Sequence, residues 1–349
     1  MSDWIFVRRV LIVFALGALA FAVWTLSDLL LLIFAAVLAA IALRALMAPL
    51  VQATGMREPL ALLAVVLMIV LFAAALVLQF GSRLSEQTAY LVQNAPAALQ
   101  SLLKALNLED ISKDLGGTAL GELASRMVTI GSSIVEGAAA FILIVVGGIY
   151  LAAAPQTYRH GLISVFPGRW RAAITSTVDD SAFALGRWLQ AQLIAMAIVG
   201  VLTGFGMWLV GVPSPLALGL IAGATEFIPI LGPIVGAIPA LLLASGEGVE
   251  VMLAALAVAV VVQQLENNLI MPFVVGRVVE LPAAVGLFAT VAMGLLFGPL
   301  GLLLGYPLAI VADVAIRRLY MREALGKRVE IPAERERHAE AERNGTAKA

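Results

Sequence analysis

The chain's long apolar runs decide what it can fold into. A bilayer core about 30 Å thick takes about 20 consecutive apolar residues as a helix. The sequence supplies such runs repeatedly: Val10–Leu26, Leu29–Leu50, Leu60–Phe80, about Ile134–Ala154, about Leu189–Val210 and Val251–Val275. Charged residues make up 13% of the 349 positions and hydrophobic ones 62%, whereas a soluble domain carries about a quarter charged residues. This excludes a disordered chain, a collagen-like fibre and an ordinary soluble enzyme, and predicts an all-α, polytopic membrane bundle in contact with lipid.

Charge distribution orients the runs, since cytoplasmic loops carry an excess of Lys and Arg. Arg8 and Arg9 precede the first run and hold the N-terminus in the cytoplasm. Ala20-Phe21-Ala22 resembles a weak signal-peptidase site, but the run is long for a signal core and a second follows at once, so an uncleaved first span is the better reading. Asp28 marks a tight outer turn, and Arg44 and Arg57 lie near an inner one at Pro49–Pro59. Residues 1–80 are read as three scaffold spans.

Residues 81–132 carry many charges, and Leu99, Leu102, Leu103 and Leu106 share one helical face. They are read as an extracytoplasmic amphipathic helical insert that packs on the membrane or a neighbouring subunit. A fourth span at 133–155 leads to a cytoplasmic connector at 156–188, holding Arg159, Arg169, Arg171 and Arg187. Arg187 and Trp188 read as interface anchors. Residues 189–318 are read as the transport region, and 319–349 as a charged cytoplasmic tail, mobile or loosely helical from 327 onward.

Two apolar segments in the transport region are broken by glycine and proline. The first, 216–245, contains Pro229, Gly232, Pro233 and Pro239. The second, 283–316, contains Gly298, Pro299, Gly301, Gly305 and Pro307. The helix between them ends near Pro272 and Gly276. A break in hydrocarbon is tolerated only where protein or water surrounds it. Each segment is either one kinked span or a re-entrant hairpin with its tip at the break. Hairpins put Glu247 and Glu250 outside and Arg277 inside, which the charge rule favours. They also make residues 189–316 an inverted repeat, the arrangement that marks a secondary-transporter site. Close helix packing is the rival role for these glycines.

Polar residues interrupt the apolar runs at two places. Glu226 adjoins the first break, and Gln263, Gln264, Glu266, Asn267 and Asn268 form a belt within Val251–Val275. Spacings of three and four put Gln263, Glu266 and Asn267 on one side of a helix. A carboxylate at the bilayer centre costs about 2.5–3.5 kcal/mol on insertion scales, so it is paired, protonated or facing a polar cavity. Glu226, Gln263, Gln264, Glu266 and Asn267 are therefore candidate substrate or ion pathway residues, with H⁺ or Na⁺ as coupling ion. Interhelical hydrogen bonding is the alternative. Glu136 and Asp313 read as interfacial.

Other chemistries lack their residues. The sequence has no cysteine and only two histidines, His160 and His338, which argues against disulfides, iron–sulfur clusters and a histidine metal site. It shows no Gly-x-x-x-x-Gly-Lys-Ser/Thr loop, His-Glu-x-x-His helix or Gly-x-Ser-x-Gly elbow. A net charge of −1 gives no case for nucleic acid. The expectation is no enzyme, no cofactor and no metal; the expected partners are the bilayer and a small polar solute.

Several motifs together resemble the AI-2E family of bacterial transporters: Gly186-Arg187-Trp188-Leu189-Gln190-Ala191-Gln192, Gly211-Val212-Pro213, Glu226-Phe227-Ile228-Pro229-Ile230-Leu231-Gly232-Pro233 and Gln264-Leu265-Glu266-Asn267-Asn268-Leu269-Ile270-Met271-Pro272. Gly276-Arg277, Gly298-Pro299-Leu300-Gly301 and Gly305-Tyr306-Pro307-Leu308 complete the pattern. The resemblance implies an inner-membrane protein of about eight spans, homopentameric, with an elevator-like motion; the C-terminal cluster Arg317, Arg318, Arg322, Lys327 and Arg328, like Arg8 and Arg9 at the start, puts its end of the chain in the cytoplasm. It implies export of autoinducer-2 or Na⁺(Li⁺)/H⁺ antiport. Its motif positions here are Glu226, Pro229, Gly232, Pro233, Gln264, Glu266, Asn267 and Pro272. A membrane scaffold without transport is the reading from another class.

Overall fold

A computed structural model describes residues 2–71, 74–75, 78, 140–270, 281–327 and 329–337. Every regular element among them is helical. The expected outer insert at 81–132 lies outside the described residues, as do Glu136, Pro272, Gly276, Arg277 and His338.

The first apolar runs form α1 (Ser2–Thr25), α2 (Ser27–Thr54) and α3 (Glu58–Leu71). Leu26 alone joins α1 to α2. Its amide bonds the Ala22 carbonyl and its carbonyl accepts the Leu30 amide, both at 2.9 Å. The turn expected at Asp28 is thus a one-residue kink with helical hydrogen bonds on both sides. The Gly55 amide, at φ 66°, caps α2 by bonding the Val51 carbonyl at 2.9 Å. α4 (Ala140–Ala153) packs closely on α2, so that a Cβ at Gly148 would lie 2.8 Å from that of Ala39. Pro155 opens α5 (Pro155–Ser164), which leaves α4 at 91°. That bend coincides with the expected end of the fourth span, because proline is tolerated in the first helical turn and not inside.

α6 (Gly168–Leu209) has 42 residues and is about 63 Å long. It runs unbroken from the connector into the fifth apolar run, so the change near Arg187 is one of side chains and not of backbone. Trp188 is buried in the core there and is not the interface anchor expected of it.

Both broken segments fold back on themselves. In the first, α7 (Pro215–Thr225) is followed by α8 (Leu231–Gly246). A Cβ at Gly236 would lie 2.6 Å from Thr225 Oγ1 and 3.0 Å from Ala222 Cα, which sets the two arms antiparallel. α9 (Val249–Leu265) then runs into a π-helical turn, Glu266–Ile270. The second segment, α10 (Ala283–Ala315), breaks at Gly298, whose φ of 65° and ψ of −149° suit only glycine. A Cβ at Gly286 would lie 2.5 Å from the Tyr306 ring, yet in a straight helix those positions would be about 30 Å apart. The hairpin alternative therefore holds for both backbones. The glycines also have the packing role: each second arm presents them to its first.

Four helices are long and apolar enough to cross a membrane by length and composition, and the bent pair α4–α5 makes up to five among the described residues. Large apolar side chains face outward, Phe14 73% and Leu295 83% exposed among them, an exposure that suits lipid. The chain is an all-α membrane bundle.

The C-terminal segment, expected to be mobile or loosely helical, is docked over 329–337, with 332–337 helical. A further π-helical turn, Ile316–Ala324, extends α10. The chain then returns so that Ile331 and Ala333 are buried in the cluster of Leu185, Trp188 and Val314. Glu334 pairs with Arg318 at 2.9 Å and Arg322 at 2.8 Å, and Arg337 with Asp180 at 3.0 Å. Arg318 also pairs with Asp180, and Arg159 with Asp179 at 2.7 Å. Burial opposes ionisation of Glu334, but the hydrogen bonds from Arg322 and Arg318 outweigh it and hold its carboxyl below the usual range. The basic cluster after the last run thus serves as a clasp as well as a charge marker. Asp313 pairs with Arg317 at 2.8 Å.

Candidate functional site

The site is assembled where the first hairpin's tip meets α6 and α9. α6 and α7 approach through facing small-xxx-small pairs, Gly200/Gly204 and Gly219/Gly223. A Cβ on Gly219 would lie 2.5 Å from the Gly200 carbonyl oxygen and 2.9 Å from Gly204 Cα, so the backbones are in contact. This brings Gln192 of α6 level with the tip, where its Nε2 donates to the Glu226 carbonyl. That carbonyl has lost its helical partner at the break, and the buried amide restores one.

The tip itself is strained. The Leu231 amide bonds the Pro229 carbonyl at 2.9 Å across Ile230, whose φ of 73° and ψ of −47° make the rarer hand of γ-turn. The Gly232 amide then bonds the Ile228 carbonyl at 2.7 Å. Around this turn Phe227 meets Trp188 edge-on at 5.7 Å, and Tyr306 of the second hairpin stacks on the same indole at 5.7 Å. Phe297 and Leu300, which flank the second break, join that cluster. Trp188 is the post on which the two hairpins meet.

The break also turns Glu226 inward. Glu226 is 0% and Glu266 4% exposed, and their carboxyls face each other at hydrogen-bonding range. Glu266 Oε2 accepts from Gln263 Nε2 at 3.2 Å. Neither oxygen of Glu226 has a donor among the described residues. Two carboxylates about 4 Å apart repel by about 4 kcal/mol at an effective dielectric constant of 20, so this arrangement calls for a cationic or protic guest. Beside the pair lies a cavity of about 40 Å³, bounded by Thr203, Pro233, Gly236, Gln263 and Glu266 among others. It is polar at one end and large enough for water. A larger groove of about 600 Å³ lies against the tail; of its charged walls, Arg322 and Glu334 pair with each other in the clasp, Arg335 pairs with Glu330, and Lys327 completes the lining.

The expected pathway residues divide into two groups. Glu226, Gln263 and Glu266 come together, with Pro233 on their cavity and Gly232 against Thr225. Gln264 and Asn267 are exposed on the outer side, where Asn268 Nδ2 bonds Gln264 Oε1 at 3.0 Å. The split follows the buried side of α9, which is centred on Val262 and Glu266 and leaves Gln264 and Asn267 on the other side. Pro229 is buried in the tip and Pro239 half-buried within α8. Gly298, Pro299 and Gly301 form the second break, and Pro307 is buried in its second arm. Sequence reasoning gave no site role to Gln192, Trp188 or Thr203. The paired Gly-x-x-x-Gly spacings were the available signal that α6 abuts the hairpin.

A family model described as AI-2E family transporter matches residues 10–321. The chain is 39% identical over 151 residues to YrrI of Bacillus subtilis, covering 42% of each. It is 28% identical over 162 residues to YueF of the same species, covering 46% of this chain and 44% of YueF. Both are named as candidate transport proteins. The chain is also 28% identical over 297 residues to the AI-2 transport protein TqsA of Escherichia coli, covering 77% of this chain and 81% of TqsA. The alignment spans less than half the length of either Bacillus protein.

Proposed function

Because the chain belongs to the AI-2E transporter family, we propose that it is a secondary transporter of the bacterial inner membrane, exporting a small polar molecule such as autoinducer-2 in an ion-coupled, elevator-like cycle. The observation that carries this reading is the buried Glu226–Glu266 pair at the tip of a broken-helix hairpin. A protein with only a scaffolding role gains little from burying two carboxyls beside a helix break, whereas a carrier needs an ionisable group within its moving part. Residues 186–316 are the moving part in this reading, and α1–α4 hold the oligomer, a homopentamer with both termini cytoplasmic. The buried acids, coupled to H⁺ or Na⁺, favour Na⁺(Li⁺)/H⁺ antiport as the second reading.

The test is collapse of a pH gradient in inside-out vesicles containing the protein, with Na⁺, Li⁺ or autoinducer-2 added in turn. Collapse with autoinducer-2 alone supports proton-coupled export. Collapse with Na⁺ or Li⁺ supports antiport and demotes export. In either case Glu266→Gln abolishes coupled flux while the protein remains inserted and folded; unaltered coupled flux in that variant removes Glu266 from the pathway. Silence with all three solutes, followed by no uptake of labelled candidates, returns the scaffold reading.

A further inference from the structure

Glu226 presents a contradiction as an ionised group. It is fully buried, both carboxyl oxygens lack donors among the described residues, and the side chain facing it is a second carboxyl. Buried acceptors are normally satisfied, and an orphaned pair needs a physical reason. Neither carboxylate can donate to the other, so two ionised glutamates leave the contact purely repulsive. One added proton resolves the contact: a single O–H between the two groups partners one oxygen of Glu226 and leaves one negative charge, the pattern of two acids that cannot both ionise.

The surroundings supply no alternative among the described residues. α6 presents the uncharged Gln192 and Thr203, α8 presents Pro233 and Gly236, and α9 presents Gln263, which already donates to Glu266. The cavity beside the pair is lined by no other charged side chain among the described residues. This differs from the clasp, where arginines meet the buried Asp180 and the half-buried Glu334. The water-sized cavity reaches Glu266, which gives a proton a first step away from the pair.

The placement matters as much as the proton. Glu226 begins the tip of the first hairpin, and Glu266 heads the π-helical turn of α9. We propose that the two form one site that holds a single shared proton, and that losing this proton releases the hairpin tip from α9. Its use in a transport cycle rests on the function proposed above; the site and its latch do not.

The experiment uses the full chain in lipid nanodiscs. Infrared spectroscopy follows the protonated-carboxyl carbonyl band across a pH titration in wild type, Glu226→Gln, Glu266→Gln and the double variant. Wild type loses the band in one step equivalent to one carboxyl per chain. The double variant lacks that component, and each single variant moves the midpoint at least tenfold in proton concentration. A double variant with the wild-type band overturns the site. Single variants with unmoved midpoints overturn the sharing, and because Gln is isosteric they do so even where the double variant fails to fold. Hydrogen exchange tests the latch. Amides of residues 227–232, corrected for intrinsic pH dependence, exchange at least tenfold faster above the wild-type midpoint, and equal exchange on both sides overturns the release. No readout depends on flux, so a chain that carries none of the tested solutes can still confirm the site, and a working transporter can still refute it.

Discussion

Ile230 holds a backbone geometry that its side chain resists. A β-branched residue at positive φ is a genuine outlier, and such strain costs about 1–3 kcal/mol. The second hairpin makes its break at Gly298 with φ 65°, at a residue with no Cβ to object. The first makes its break at Ile230 with φ 73°, directly beside the carboxyl pair. Ile230→Gly is therefore expected to stabilise the protein by about 1 kcal/mol, since relief of strain exceeds the entropy that glycine adds to the unfolded chain. Thermal unfolding in detergent checks this, and a lower melting temperature would refute the strain. If the strain helps the tip leave α9, the same variant also transports more slowly. Little of this was legible from residue types. Proline and glycine at 229–233 announce a turn, but which residue takes the left-handed conformation follows from how the two arms pack.

Helix existence followed from the length of the apolar runs: α2 contains Leu29–Leu50, α6 covers the fifth run up to Leu209, and α9 with its π-helical turn covers Val251–Ile270 of the sixth, whose last residues lie outside the described ones. The breaks were also legible, though their geometry was not, because composition cannot separate a kink from a reversal. The packing separates them, and a disulfide can test it. A Cβ at Gly294 would lie 3.4 Å from that of Leu302, whereas eight residues of straight helix span about 12 Å. Gly294→Cys/Leu302→Cys is expected to form an intramolecular disulfide, readily assigned because the native chain has no cysteine. A pair that stays reduced under mild oxidant would speak for a straight α10. The docking of 329–337 left no sequence signal, since Glu334 and Arg337 read as ordinary tail charges until Arg318 and Asp180 stand opposite them. Glu334 is held below its ordinary value of 4.5, so its contribution is present above that value and is lost as pH falls through the lower, folded one. Acidification below pH 4.5 should loosen the clasp, seen as faster amide exchange at 331–337. Glu334→Gln should loosen it at neutral pH, by about 1–2 kcal/mol. Unchanged exchange under both conditions would mean that the buried Ile331 and Ala333 and the Arg337–Asp180 pair hold the segment without Glu334.

At the scale of the molecule, the contacts separate into those a sliding transport region would keep and those it must break. The glycine crossing of α6 with α7, the internal contacts of both hairpins and the Trp188–Tyr306 stack all lie within residues 186–316 and can travel together. Leu31, Ala35 and Leu38 of α2 share a cluster with Leu185 and Trp188, and Trp24 at the end of α1 meets Phe297 at 6.0 Å. These join the first helices to the rest and would have to slip in an elevator-like cycle. Apolar side chains suit such a boundary, because sliding one past another breaks no directional bond and leaves no polar group orphaned. A rigid protein has no use for that distinction, so it can be tested directly. Trp24→Cys/Phe297→Cys, joined by a short bifunctional thiol reagent, is expected to cut flux at least tenfold, with recovery on reduction. The Gly294→Cys/Leu302→Cys disulfide, which lies wholly within the second hairpin, is expected to leave most of the flux intact. Equal loss from both cross-links would mean that the hairpin itself flexes during the cycle. Full flux with α1 fixed to Phe297 would mean that α1 travels with the transport region, moving the boundary to α2 and its contacts with α6.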